Sequence, residues 1–236
     1  KMAAMGEMIE NIAHQWRQPL SVISTISSSL KIKKEMNMLD DKEFYEALQS
    51  INRTSQHLSN TIDDFRNFFS PNKEMNKFYV SQLIKKSKDL IKSRFDKFNI
   101  KVIENIDDIE ILSYQNELFQ VILNLFSNSI DVLSSNEIED KIIHIKIYQD
   151  ENNLCIEFLD NGGGIKDEFI NRVFEPYFTT KHKSQGTGIG LYMSLQIVTK
   201  HLNGEISVKN DTFIENNIAY FGAKFTILLP IHPKNS

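Results

Sequence analysis

Cysteine is almost missing from this 236-residue chain: Cys155 stands alone, so no intramolecular disulfide and no cysteine-rich zinc site can form within it. In the alternating run Leu154, Ile156, Phe158 it reads as a small packed residue. An excess of positive charge is also lacking. Lys and Arg number 27 against 31 Asp and Glu, and the net charge of -4 gives no long-range attraction to phosphate backbones, so nucleic acid is not an expected partner. There is no apolar run of about 18 residues, which excludes a spanning helix, and the opening KMAAMGEMIE has neither a signal-peptide nor a transit-peptide composition. The chain is expected to be soluble, and because it opens inside a helical pattern, to be a piece of a longer protein. What is present is globular: 41% apolar and 25% charged residues exclude disorder, and the length suits one large core or two small ones.

Glycine divides the chain into two styles. Only Gly6 precedes residue 160, whereas Gly162, Gly163, Gly164, Gly186, Gly188, Gly190 and Gly204 crowd the last third. The glycine-poor start carries a heptad alternation in Met5, Ile9, Ile12, Trp16, Pro19, Ile23, Ile26 and Leu30, which predicts one long helix. After a polar break at 35–41 the spacing resumes in Phe44, Leu48, Ile51, Ser55, Leu58, Ile62, Phe65 and Phe69, and a second helix follows. Such a hairpin cannot cover its own seam, so a dimeric four-helix bundle is expected. Ser70 and Pro71 end the second helix, leaving 1–70 as the hairpin and 71–77 as a linker.

From residue 78 to 236 helical and strand periods alternate. Helices are predicted near 80–97, 116–134 and 189–202, and strands near 100–105, 109–113, 141–148, 153–159, 204–208 and 223–229. The expectation is an α/β two-layer sandwich with helices on one face of a mixed sheet. The lysines at 85, 86, 88, 92 and 97, with Arg94, read as a solvated helix face, since aspartates interrupt them.

Three clusters carry chemistry. The strand NLCIEFL runs into DNGGGI, placing Asp160 at a strand end before three residues without side chains. A carboxylate there can accept a hydrogen bond from an exocyclic amine while the glycines admit a flat ring, a description that adenine fits. The second cluster, GTGIGL at 186–191, opens a helix and invites phosphate. A dinucleotide-binding turn would need a strand just upstream, and the residues there are the polar TTKHKSQ. The segment from Phe174 to Thr187 instead resembles a lid over a nucleotide, with Lys181 available for phosphate charge. In the third cluster, Glu117, Gln120, Asn124, Asn128 and Asp131 form a polar stripe along one helix, and the neutral amide oxygen of Asn128 suits Mg2+.

Taken in order, AHQWRQPL around His14, ELFQVILNLFSNS, DNGGGI, FEPYFTTK and GTGIGL resemble the boxes of a two-component sensor histidine kinase. Its ATP-binding domain is of the type shared with gyrase and chaperone ATPases, and the likeness covers nearly the whole chain. The resemblance implies that His14 accepts phosphate from ATP, that Asp160 contacts adenine, that Asn128 ligates Mg2+ with Asn124 in support, and that 174–188 is a mobile lid. It extends nucleotide contact to Asp131, Gly162, Gly164, Ile165, Phe174, Phe178, Thr180, Lys181, Gly186, Thr187, Gly188, Ile189, Gly190 and Leu191. It also implies a homodimer through 1–70, a response-regulator receiver domain as partner, an upstream sensor region outside this chain, and a cytoplasmic location for the fragment, membrane anchoring of the parent staying open.

With Ile9, Trp16, Ile23 and Leu30 at heptad position a, His14 falls at f and faces outward. A neutral imidazole keeps a free lone pair near physiological pH, so it is a credible acceptor. Pro19 leaves the carbonyl of Gln15 without its donor and permits a bend there. Many relatives carry Glu or Asp after the histidine. Here Gln15 cannot be a general base, though its amide oxygen can orient the ring. Gln18 stands where many relatives position a water that removes phosphate from the regulator. Two alternatives compete. An ATPase machine of the same fold would carry a water-activating glutamate where this chain has Asn124. A scaffold without chemistry would not retain the reactive residue type in every box. His57, His144, His182, His201 and His232 lack the box around His14 and read as ordinary surface or strand residues.

Overall fold

The structure, a computed structural model, describes the backbone of residues 2–68, 74–180 and 188–231, with side chains at 19–56, 58–59, 74–180 and 188–231. The chain divides into a helical unit through Pro71 and an α/β unit containing Asn72–Phe178 and Gly188–Ser236.

In the helical unit, α1 (Met2–Glu35) runs unbroken through Pro19 and packs against α2 (Asp41–Phe68). The corner between them is chemically specified. Asn37 takes the left-handed conformation, Met38 N–H closes back on the Lys33 carbonyl at 2.9 Å, and Asp40 Oδ1 caps α2 by accepting the Glu43 N–H at 2.7 Å. Lys33 and Glu43 pair across the corner. Along α1 the expected seam residues Pro19, Ile23, Ile26 and Leu30 are half-buried. The seam of α2 departs from expectation: Ala47, Ser50, Ile51, Thr54 and Leu58 turn inward, while Phe44, Leu48 and Ser55 are exposed. Two helices offer each other only a narrow stripe, so the outer edge of a wider apolar face is left uncovered.

The α/β unit has a five-stranded sheet of order β2-β4-β5-β7-β6, formed by β2 (Ile100–Ile106), β4 (Lys141–Asp150), β5 (Asn153–Asp160), β7 (Ile218–Pro230) and β6 (Glu205–Glu215). Only β2 and β4 are parallel. On one face Ile143, Ile145, Ile147, Leu154, Ile156, Phe158, Phe225, Ile227 and Leu229 are buried under α3 (Val80–Phe98) and α4 (Gln115–Ser135). Phe126 of α4 meets Phe158 edge-on at 5.0 Å and Phe95 of α3 at 5.5 Å, tying both helices to the sheet. The opposite face is polar, with Lys224 held 2.8 Å from Glu157. No helix among the described residues is long and apolar enough to cross a membrane.

Three features go beyond the sequence pattern. Asn76–Tyr79 forms β1, which takes in two residues expected in the linker because Phe78 is buried and the strand pairs antiparallel with β3 (Glu110–Ser113). The last strands are much longer than expected, reaching a two-residue turn in which Asn216 and Asn217 both have positive φ, the geometry that suits the right-handed twist of a hairpin. Finally, the helix expected over 189–202 is α6 (Gly190–Gln196) continued by a π turn at Ile197–His201, where Leu202 N–H reaches the Ile197 carbonyl at 3.0 Å.

Candidate functional site

Asp160 closes β5 and is only 4% exposed. Its Oδ1 accepts the Gly162 N–H at 2.9 Å and its Oδ2 the Ser129 hydroxyl of α4 at 3.2 Å. Burial pushes its pKa up, opposed by the backbone N–H groups of Gly162 and Ala223 and by Ser129. Next to it, Asn161 fastens the start of β4: its Oδ1 accepts the Ile142 N–H at 2.8 Å and its Nδ2 donates to the Asp140 carbonyl at 2.6 Å. The glycines that follow are required by space as well as by dihedral. A Cβ on Gly162 would lie 2.3 Å from Val132 Cγ1, and Gly163 and Gly164 have φ of +90° and +79°. Asn136, just past α4, donates to the Gly162 carbonyl at 2.9 Å.

Helix α4 carries the polar stripe past this loop. Asn124 Nδ2 donates to Ser194 Oγ of α6 at 2.8 Å, and a Cβ on Gly190 would come within 2.4 Å of Asn124 Oδ1, so that glycine lets α6 approach. Asn128, one turn on, has its amide nitrogen buried with no hydrogen-bond partner among the described residues. That end is a donor, open among the described residues to an acceptor such as a phosphate oxygen, whereas the end of an amide that can ligate a cation is its oxygen. Among the described residues no three His, Cys, Asp or Glu side chains converge on a metal position. An ion here would therefore draw on a neutral amide, phosphate oxygens and water, a donor set that fits Mg2+. Asp131 has a partner that the pattern does not announce: Arg94 of α3 reaches its Oδ1 at 2.7 Å and Ser127 Oγ at 3.1 Å. At the start of the helix, Glu117 Oε2 lies 3.0 Å from His201 Nδ1.

The described ends of the expected lid are tied together. Tyr177 N–H donates to the Gly188 carbonyl at 2.9 Å, and Gly188, at φ +65°, is pressed against the Tyr177 backbone. Phe174 packs edge-on to Phe225 of β7, and Phe178 lies against Phe169 under the Arg172 guanidinium. Thr180 is exposed, Ile189 is buried and Leu191 is half-buried at the start of α6. Lys181, Gly186 and Thr187 lie outside the described residues, as do the side chains of His14, Gln15 and Gln18 and those of His57, His182 and His232. His14, Gln15 and Gln18 share the continuous backbone of α1.

The structure thus brings Asp160, the DNGGGI loop, Asn124, Asn128 and the start of α6 to one end of the sheet. Residues 113–233 match the profile of the histidine kinase-, DNA gyrase B-, and HSP90-like ATPase family. The chain belongs to this family. Residues 4–74 match the His Kinase A (phospho-acceptor) domain, so the chain carries the two domains of a two-component sensor histidine kinase. Its relatives include the signal transduction histidine-protein kinase AtoS of Escherichia coli (strain K12), 26% identical over 100% of this chain and 36% of that protein. Sporulation kinase E of Bacillus subtilis (strain 168) is 29% identical over 96% of this chain and 29% of its own length. The chain therefore spans about a third of the length of these two relatives. Among solved structures, the catalytic domain of histidine kinase ThkA aligns with 67% of this chain and 97% of its own at 25% identity and a TM-score of 0.56. ThkA in complex with response regulator protein TrrA aligns with 98% of this chain and 63% of its own, at 23% identity and a TM-score of 0.71, and shares the fold.

Several residues that shape this candidate site carry no signal that the sequence reading used: Asn136, Asn161 and Asn210, and the packing partners Ser129, Ser194 and Gly222. Asn161 was visible inside DNGGGI and Ser194 inside the helix after GTGIGL. Nothing in the sequence ties Asn210 to a loop 45 residues away.

Proposed function

We propose that this chain autophosphorylates His14 from Mg-ATP and passes the phosphoryl group to an aspartate of a response-regulator receiver domain. In this reading 1–70 is the dimerisation and phosphotransfer hairpin, 71–77 the linker and 78–236 the catalytic domain. The observation that carries it is the buried Asp160 at the head of a positive-φ glycine loop, with the Asn128 amide nitrogen, unpartnered among the described residues, on the neighbouring helix. A buried carboxylate beside flexible glycine backbone suits adenine, whose exocyclic amine can donate to it while the flat ring lies against the main chain. Leu20, Val22, Phe44 and Leu48, exposed on the hairpin, support a second copy completing a four-helix bundle. The complex of ThkA with its regulator supports the receiver-domain partner.

In the phosphoryl step a lone pair of the His14 imidazole forms the N–P bond as the bond from the γ-phosphorus to the bridging oxygen breaks and ADP leaves. Asp160 and the glycine loop bind and orient the base, Asn124 and Asn128 face the phosphates, and Lys181 neutralises charge as it moves onto the leaving oxygen. Mg2+, held through Asn128, would screen the phosphate oxygens. Gln15 orients the ring through its amide oxygen, and Gln18 positions water for dephosphorylating the regulator. The test is incubation with labelled ATP of the parent and of His14→Gln. The parent is expected to acquire an acid-labile, base-stable phosphate and the variant none. Label that persists in the variant, or brisk ATP hydrolysis independent of His14, sinks the kinase reading in favour of a hydrolytic ATPase. Gln18→Ala is expected to lose regulator dephosphorylation with autophosphorylation intact.

A further inference from the structure

Asn210 of β6 spends both ends of its amide on a single residue of the glycine loop. Its Oδ1 accepts the Ile165 N–H at 2.8 Å, and its Nδ2 donates to the Ile165 carbonyl at 2.7 Å. It also closes over Gly164, where a Cβ would lie 2.6 Å from Asn210 Oδ1 and 2.9 Å from the Phe221 ring. Asn210 pairs with Ala223 across the β6–β7 ladder, and the Ala223 N–H bonds the Asp160 carboxylate. One rung of the hairpin therefore grips both ends of segment 160–165, Ala223 at the first residue and Asn210 at the last. Between them Gly163 N–H donates to the Phe221 carbonyl at 3.3 Å. We infer that Asn210 is a positioning residue for the nucleotide base, holding the DNGGGI loop in the one shape that leaves room beside Asp160. The inference rests on the proposed adenine role of that loop.

Only an amide meets the requirement. Aspartate keeps the acceptor but sets a carboxylate against the Ile165 carbonyl, serine is too short to reach both groups, and alanine offers neither. Because two glycines with positive φ precede Ile165, the loop has more alternatives than an ordinary turn, and losing the clamp releases them.

The experiment is titration of the whole chain and of Asn210→Ala and Asn210→Asp with ATP, ADP and AMP, together with autophosphorylation kinetics. Both variants are expected to bind all three nucleotides more weakly by one common factor of about ten, since the lost support lies on the base side. The KM for ATP should rise by that factor with kcat unchanged, and phosphotransfer from pre-phosphorylated protein to a receiver domain should proceed at the parent rate. Asn210→Asp keeps the shape of the side chain and provides the test should Asn210→Ala fold poorly. Unchanged affinity in the folded variants, or a loss confined to ATP and absent for AMP, overturns the inference while leaving the site reading standing. A parent chain that takes up no adenine nucleotide overturns the site reading and the inference with it.

Discussion

Gly222 of β7 lies so close to the strand carrying Asp160 that a Cβ on it would sit 1.8 Å from the Asp160 carbonyl oxygen. This approach lets the next residue, Ala223, direct its N–H at the Asp160 side chain. The Asp160 carboxylate and the glycine opposite it are thus one device built across two strands.

Gly222→Ala forces backbone against backbone, where no side chain can swing away. Overpacking of this kind is expected to cost about 3 kcal/mol or more and to lower the Tm of the α/β unit by about 6 °C or more. Scanning calorimetry of the purified variant checks it, and an unchanged Tm contradicts the packing described.

Asp160 carries a pH signature. Its pKa is raised in the folded state by burial, so its contribution to stability is fully present below the unfolded carboxylate range and is lost as pH rises through the folded value. Relative to Asp160→Asn, the parent should therefore lose stability from acid to neutral pH. Urea unfolding of both proteins across that window, followed by circular dichroism, measures the difference. A parent that gains stability relative to the variant as pH rises would show the pKa to be lowered instead. The same variant is expected to bind ADP at least about ten-fold more weakly.

Asn128→Ala removes the amide whose oxygen is the proposed Mg2+ ligand and whose buried nitrogen has no partner among the described residues. Affinity for ADP in excess EDTA should be nearly that of the parent, and the gain on adding Mg2+ should fall by about ten-fold. Calorimetric titration with and without Mg2+ separates the two. An undiminished Mg2+ effect would move the metal to another ligand.

Ser194→Ala leaves Asn124 Nδ2 without its 2.8 Å acceptor. The expected cost in stability is about 1 kcal/mol. In the proposed function α6 follows the lid and Asn124 faces the phosphates, so the autophosphorylation kcat should fall more than the KM rises. A change in KM alone would place this contact on the base side.

Much of this was legible along the chain. Asp160 before three glycines, the amide stripe of α4 and the GTGIGL helix start each declare their chemistry locally, and the heptad of α1 foretold the half-buried Ile23, Ile26 and Leu30. On α2 periodicity identifies an apolar face but not which part of it α1 covers, and Phe44 and Leu48 stay exposed within the single chain. The length of the final hairpin was also missed, although TFIENNIAYF alternates around an Asn-Asn turn. The polar and exposed residues along its strands disguise a ladder that includes the stacked pair Phe213 and Tyr220.

The sequence by itself determined which groups are available: one imidazole box, a carboxylate followed by flexible backbone, and neutral amides at helical spacing. These follow from local chemistry and from repeats of 3.6 and 2 residues. Only the tertiary structure decided how they are held: Asp131 paired with Arg94, Asn124 with Ser194, and both ends of the 160–165 loop clamped by one rung of β6 and β7. Such pairings join residues 37 to 70 positions apart, and a contact across that distance depends on strand order and helix packing, which no local pattern encodes.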